Sequence, residues 1–146
     1  MFTGIFKSTL PRSVNRGQAD ALTTLRAADA VAITTTTNGT PIEYPFTAEE
    51  NVKVILNQTG YSGYVATTAQ WTISLQACAT VGGTYVEVAT FSASLSAGAS
   101  YSGQEAFLSG WQINNIVPDA RFLRSVATVV GSAGALTYGA YLVPSE

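Results

Sequence analysis

The chain contains no histidine and a single cysteine, Cys78. The first absence removes the commonest general base, the commonest metal ligand and any Ser-His or Cys-His dyad. The second excludes an internal disulfide and a cysteine-rich zinc site. Charge is also scarce. Charged residues are 11% of the chain, against about 25% in an ordinary soluble domain. The net charge of −2 excludes a nucleic-acid binder that relies on a bulk positive surface. No apolar run reaches the roughly eighteen residues that a membrane-spanning helix needs. The opening Met1–Arg12 lacks the basic-then-apolar order of a secretory signal, so the expectation is a protein that is intracellular or is released without secretion. On that expectation Asn38-Gly-Thr and Asn57-Gln-Thr are chance matches to the glycosylation sequon in a Thr-rich chain. What remains has few groups with which to do chemistry, and no enzyme activity, metal or cofactor is expected.

What is present is apolar and aromatic. Of 146 residues, 47% are hydrophobic, with six Phe, seven Tyr and two Trp. That length is one domain with a substantial core. Charge is divided unevenly along it. Residues 1–26 carry Lys7, Arg12, Arg16 and Arg26 against Asp20, a net +3. Residues 27–120 carry seven acids against Lys53, a net −6. A basic arm precedes an acidic body, and the domain boundary is placed at 28/29. The arm lacks strand periodicity before about residue 17 and mixes apolar anchors (Phe2, Ile5, Phe6, Leu10) with Pro11 and Gly17. The segment reads either as a frayed terminus or, since its anchors are flanked by cations, as an arm that reaches a partner. The spacing of Ala21, Leu22, Leu25 and Ala28 predicts a short helix over 18–30.

From Val31 onward the chain reads as strands. Val31–Thr37 is rich in β-branched residues, which fit a pleated surface. Asn38-Gly39 predicts a hairpin turn to a strand over 40–46, with Pro41 and Pro45 marking an edge. Val52–Leu56 follows. Trp71–Ala77 alternates, with Trp71, Ile73, Leu75 and Ala77 on one face. Gly82-Gly83-Thr84 turns it toward Tyr85–Thr90. Ala106–Ile113 holds Phe107 and Trp111, and 114–119 is a loop. Arg121–Val130 is the longest strand, and Gly131–Gly134 turns it back into Ala135–Val143. About eight strands at short spacing predict an all-β sandwich, jelly roll or barrel.

No constellation predicts catalysis. Glu49 and Glu50 are adjacent and read as a solvated loop. Gly131-Ser-Ala-Gly134 is a β-turn, too short for a phosphate loop. Cys78 ends an alternating strand as a small core residue. Trp71 and Trp111 are structural or interface residues, and so are Arg121 and Arg124. Arg124 shares a strand face with Phe122, Val126 and Val130. If that face is the core, Arg124 needs a buried partner; if it is the outer face, its apolar neighbours need cover. A solitary soluble domain keeps a charged surface. This chain uses Thr, Ser and Ala instead, which suits a surface that becomes buried in an assembly.

The alternating Trp71–Ala77 strand, the Gly-Gly-Thr turn, the small-residue loop Ser96–Ser100, the Pro118-Asp-Ala-Arg-Phe-Leu-Arg124 strand entry and the ending Thr137-Tyr-Gly-Ala-Tyr-Leu-Val143 together resemble the small jelly-roll cement (decoration) proteins of tailed-phage capsids. The resemblance covers roughly residues 29–146. It implies an eight-stranded jelly roll and a homo-oligomer, dimer or trimer. It implies a place on the outside of the virion shell, bound to the major capsid protein after synthesis in the host cytoplasm. It brings no catalytic residues. Phe2, Phe6 and Leu10 are then the expected apolar anchors of the arm, and Arg12 and Arg16 its pairs for capsid carboxylates. Two other readings remain: a head–tail or tail-fibre module, and a carbohydrate-binding β-sandwich using Tyr61, Tyr64 or Tyr101. Direct nucleic-acid and membrane contacts are not expected.

Overall fold

A computed structural model describes residues 24–43, 51–91 and 100–144. Among these described residues, nine β-strands and one short helix follow in chain order. They are β1 (Thr24–Arg26), β2 (Thr37–Asn38), β3 (Ile42–Glu43), β4 (Asn51–Gln58), β5 (Gln70–Cys78), β6 (Val86–Thr90), β7 (Tyr101–Ser109), α1 (Gly110–Ile116), β8 (Phe122–Val130) and β9 (Tyr138–Pro144). All strand pairings are antiparallel. One sheet has the order β1-β9-β4-β7; the other has β2-β8-β5-β6, with β3 also on β8.

β2 and β3 pair with successive stretches of β8, Asn38 opposite Val126 and Ile42 opposite Leu123. They are one interrupted edge strand. Counted so, eight strands divide four and four between two stacked antiparallel sheets in jelly-roll order. This corrects the hairpin expected at Asn38-Gly39, since its two arms run the same way along a common partner. Gly39 is there for closeness. Its N–H donates to the Ser125 carbonyl at 2.7 Å, and a Cβ would lie 2.8 Å from that oxygen. Pro41, which has no N–H, follows the break.

The first sheet also takes in Thr24–Arg26, with Thr24 opposite Tyr141 and Arg26 opposite Ala140. The sandwich therefore starts before residue 29, and at least its 24–26 portion of the expected 18–30 helix is a strand. A second correction concerns β8 and β9. They were expected to fold back on each other. Instead β8 pairs with β5 and β9 with β4, so the turn between them carries the chain from one sheet to the other. The third is α1, which replaces the end of a predicted strand. Ser109 caps it, its Oγ accepting from the Gln112 N–H, and Gly110 and Ile113 are its buried residues.

The core lies between the sheets. It takes Val52, Val54 and Leu56 from β4, and Trp71, Ile73, Leu75 and Ala77 from β5. Leu123 and Ala127 of β8 and Tyr138, Ala140 and Leu142 of β9 complete its centre. The period of two puts these residues inward and their neighbours outward. Each large side chain removed from water contributes roughly 1.5–3 kcal/mol. One polar link crosses the core: the Tyr138 hydroxyl meets Ser125 Oγ at 2.9 Å. Burial pushes the Tyr138 phenol above its ordinary value, against the smaller opposing effects of Ser125 and of Arg26, whose guanidinium lies over the ring. Tyr138→Phe should cost about 1–3 kcal/mol, because it leaves the Ser125 hydroxyl buried without a partner. The raised value also fixes a pH dependence. The neutral phenol is favoured in the fold, so its contribution is complete below about pH 10 and is lost as pH rises through the higher folded value. Thermal unfolding followed from pH 8 to 11 should fall more steeply for the wild type than for Tyr138→Phe. Parallel pH profiles would refute this account.

Candidate interaction surfaces

The two outer faces of the sandwich differ in chemistry. On the second sheet, β8 turns Leu123, Ser125 and Ala127 inward, so Phe122, Arg124, Val126, Thr128 and Val130 lie on the outer side, where Val126 is itself buried. The question raised by Arg124 is therefore resolved in favour of the outer face. Its guanidinium is held by two side chains, Gln76 and Tyr85. Nε and Nη2 both donate to Gln76 Oε1 of β5, at 3.0 and 2.8 Å. The guanidinium carbon stands 4.0 Å from the centroid of the Tyr85 ring. Tyr85 is itself tied to the Val81 carbonyl through its hydroxyl. Arg124 forms no ion pair among the described residues. Nη1 and the second Nη2 hydrogen carry no hydrogen bond among the described residues. Arg121 is different: it is exposed and paired with Glu43. Glu87 accepts from Thr90 Oγ1.

The first sheet is more apolar outside. Its three long strands align two rows across the face. Val143, Lys53 and Phe107 form one; Tyr141, Ile55 and Glu105 form the next. Phe107 is 65% exposed, while Ile55 and Tyr141 are half-buried. The Lys53 ammonium lies 3.4 Å from the Glu105 carboxylate and 6.0 Å from the Phe107 ring centroid. An outer sheet face on a solitary domain is normally polar; among the described residues this one has a single ion pair, set beside Phe107, Ile55 and Tyr141, with Val143 already buried. Beyond the end of β7, α1 exposes Trp111 at 60% and Ile116 at 48%.

A shallow groove of about 340 Å³ continues the first face past Asn57, with Ala28, Thr59, Ser100, Thr137 and Gly139 around it. Its floor is fixed by contact: the Ala28 turn lies over Gly139, where a Cβ would come 2.8 Å from the Ala28 Cα. Asn57 Oδ1 accepts from the Gly103 N–H. These groups make no nucleophile–base pair. Among the described residues no group of three or more His, Cys, Asp or Glu side chains is placed to hold a metal ion. No helix among them is long and apolar enough to cross a membrane.

Trp71 is a core residue, 1% exposed, whereas Trp111 is at the surface. Tyr61, expected as an exposed sugar-stacking ring, is buried instead and its hydroxyl accepts from the Trp71 N–H. Tyr64 is half-buried with its ring edge-on to Tyr61 at 6.4 Å. Phe2, Phe6, Leu10, Arg12 and Arg16 lie outside the described residues, as do Glu49 and Glu50. The sequence reading missed Lys53, Ile55, Glu105 and Tyr141 as a surface. The signal was the run Val52-Lys-Val-Ile-Leu56, where period two puts Ile55 opposite to Val54 and Leu56, beside Lys53.

No protein-family model matches the chain, and no curated protein shows significant sequence similarity to it.

Proposed function

We propose that the protein is a virion structural component, a cement protein that seats on the outside of a tailed-phage capsid shell as a homo-oligomer and stabilises it. The observation that supports this reading best is a jelly-roll sandwich whose outer surface carries an apolar first-sheet face and few charges. Such a surface favours burial against neighbours over free solution. The partner is the major capsid protein. The reading gives the chain no catalytic step and no direct role with nucleic acid or membrane.

Arg124 adds a specific contact. A guanidinium already fixed by Gln76 and Tyr85 loses little side-chain freedom on meeting a carboxylate, and arginines are frequent among the residues that dominate interfaces. The arm adds Phe2, Phe6 and Leu10 as anchors, with Arg12 and Arg16 for further carboxylates. Exposed pairs of that kind contribute only about 0–1 kcal/mol each, so the body makes much of the contact.

The experiment is reconstitution on purified shells that lack the protein, with occupancy read by electron microscopy and shell survival read by heating. Full-length protein should bind and raise the temperature of shell rupture. Arg124→Ala and deletion of residues 1–16 should each weaken binding by roughly tenfold, about 1.4 kcal/mol, with circular dichroism unchanged. Shells that neither bind the protein nor gain heat resistance would end the proposal.

A further inference from the structure

We propose that the outer face of the first sheet binds a second copy of this chain across a two-fold axis, with Lys53 and Glu105 of each protomer pairing with Glu105 and Lys53 of the other. The inference deepens the cement reading, resting on it only for the expectation that the protein works as a homo-oligomer.

The strand register carries the argument. Lys53 is the cross-strand partner of Phe107, and Ile55 that of Glu105. These four residues are the corners of a rectangle on the outer face, about 4.8 Å across the strands and about 7 Å along them. Lys53 and Glu105 occupy one diagonal; Ile55 and Phe107 occupy the other. A two-fold interface must be self-complementary, residue i meeting j while j meets i. An axis lying in the face along the Ile55–Phe107 diagonal meets that condition. It exchanges Lys53 with Glu105 and leaves Phe107 against Phe107 and Ile55 against Ile55. Both signs are present, one of each, on opposite sides of an apolar diagonal. The second sheet also sets a cation and an acid symmetrically, Arg124 and Glu87 on either side of Gln76, but Gln76 and Thr90 already hold them and the residue between them is polar.

Size sets the strength. Three long strands about 4.8 Å apart and about eight residues rising about 3.3 Å each give a footprint near 400 Å² per protomer. That is below the roughly 800 Å² per partner of a standard stable interface. Self-association is therefore expected at tens to hundreds of micromolar protein.

Sedimentation equilibrium of the isolated full-length chain between about 10 and 500 µM tests this. The wild type should pass from monomer to dimer. Phe107→Glu should weaken the dimer by at least about a hundredfold, and Phe107→Ser, a milder change, should weaken it less. Circular dichroism checks that both variants fold. The decisive arm uses Lys53→Glu and Glu105→Lys. Each alone puts like charges across the axis and should remain monomeric. Mixed together they restore both pairs between protomers, although neither protomer has its own internal pair, and they should form a heterodimer. A wild type that stays monomeric at 500 µM would overturn the proposal. So would a dimer indifferent to Phe107→Glu, or a mixture that fails to associate when the wild type does. Because the assay uses isolated protein, a monomer that still decorates shells would remove this interface and leave the cement reading standing.

Discussion

Replacing Trp71 with alanine should lower the stability of the domain by about 3–5 kcal/mol, the range for emptying a large aromatic site in a core. The indole is 1% exposed and sits on β5 in the middle of the second sheet. Its Nε1–H donates to the Gly134 carbonyl at 2.7 Å. Gly134 in turn donates its N–H to the Ser62 carbonyl at 2.7 Å. The ring thus fills the core and ties β5 to the connection between β8 and β9. Alanine would leave both a cavity and a carbonyl without its indole partner. Trp71→Phe separates the two effects: it restores most of the apolar volume but not the donor. Its cost should be smaller, with about 1–3 kcal/mol of it from the orphaned carbonyl. Thermal unfolding would register the alanine variant as a fall of about 6–20 °C, at about 2–4 °C per kcal/mol for a domain of this size. A loss below about 1 kcal/mol would mean that the site collapses around the missing ring and that Trp71 is not central.

The sequence carried this core residue openly. Trp71, Ile73, Leu75 and Ala77 alternate with Thr72, Ser74 and Gln76, and all four are buried. The hairpin from β5 to β6 through Gly82-Gly83 was legible for the same reason, as was the extent of β8, whereas β4 runs beyond the expected 52–56 and β9 starts at Tyr138 rather than Ala135. Sheet membership was harder. A turn such as Gly131–Gly134 looks the same whether the strands it joins pair with each other or separate into two layers. That choice is made by long-range pairing with β4 and β5. β1 is three residues long, and its assignment comes from β9 rather than from Thr-Leu-Arg itself. α1 was hidden by its composition, Gly-Trp-Gln-Ile-Asn-Asn-Ile, in which several residues are weak helix formers. Its Ser109 cap and the burial of Ile113 hold it. The apolar outer face was half legible. Period two turns Ile55 outward, but only the register places Phe107 and Tyr141 beside it.

The turn that separates the two sheets should tolerate a side chain at Gly131 far less well than the β5–β6 turn does at Gly82. Gly131 has φ +69°, a left-handed conformation that costs an ordinary residue about 1–2 kcal/mol. An added Cβ would also collide with the Thr68 carbonyl oxygen and lie 3.0 Å from Thr68 C and 3.1 Å from the Ala69 Cα. All three are backbone atoms. They belong to a turn closed by mutual hydrogen bonds between Val65 and Ala69, each 2.8 Å, so no side-chain rotation relieves the clash. Overpacking of this kind adds about 1–3 kcal/mol. Gly131→Ala should therefore lose about 2–5 kcal/mol. Gly82→Ala is the control, since a Cβ there meets nothing within 4 Å and its φ lies outside the left-handed range. That change should be neutral or stabilise by up to about 1 kcal/mol through the unfolded chain. Urea unfolding of the two variants side by side decides it. Equal midpoints would show that the Val65–Ala69 turn can move aside. The difference matters beyond stability, because Gly131 follows directly on β8, which carries Arg124, and the same turn leads to β9, which carries Tyr141 and Val143. A variant that loosens it should weaken the contacts of both outer faces, whereas the Arg124 and Phe107 substitutions each touch one.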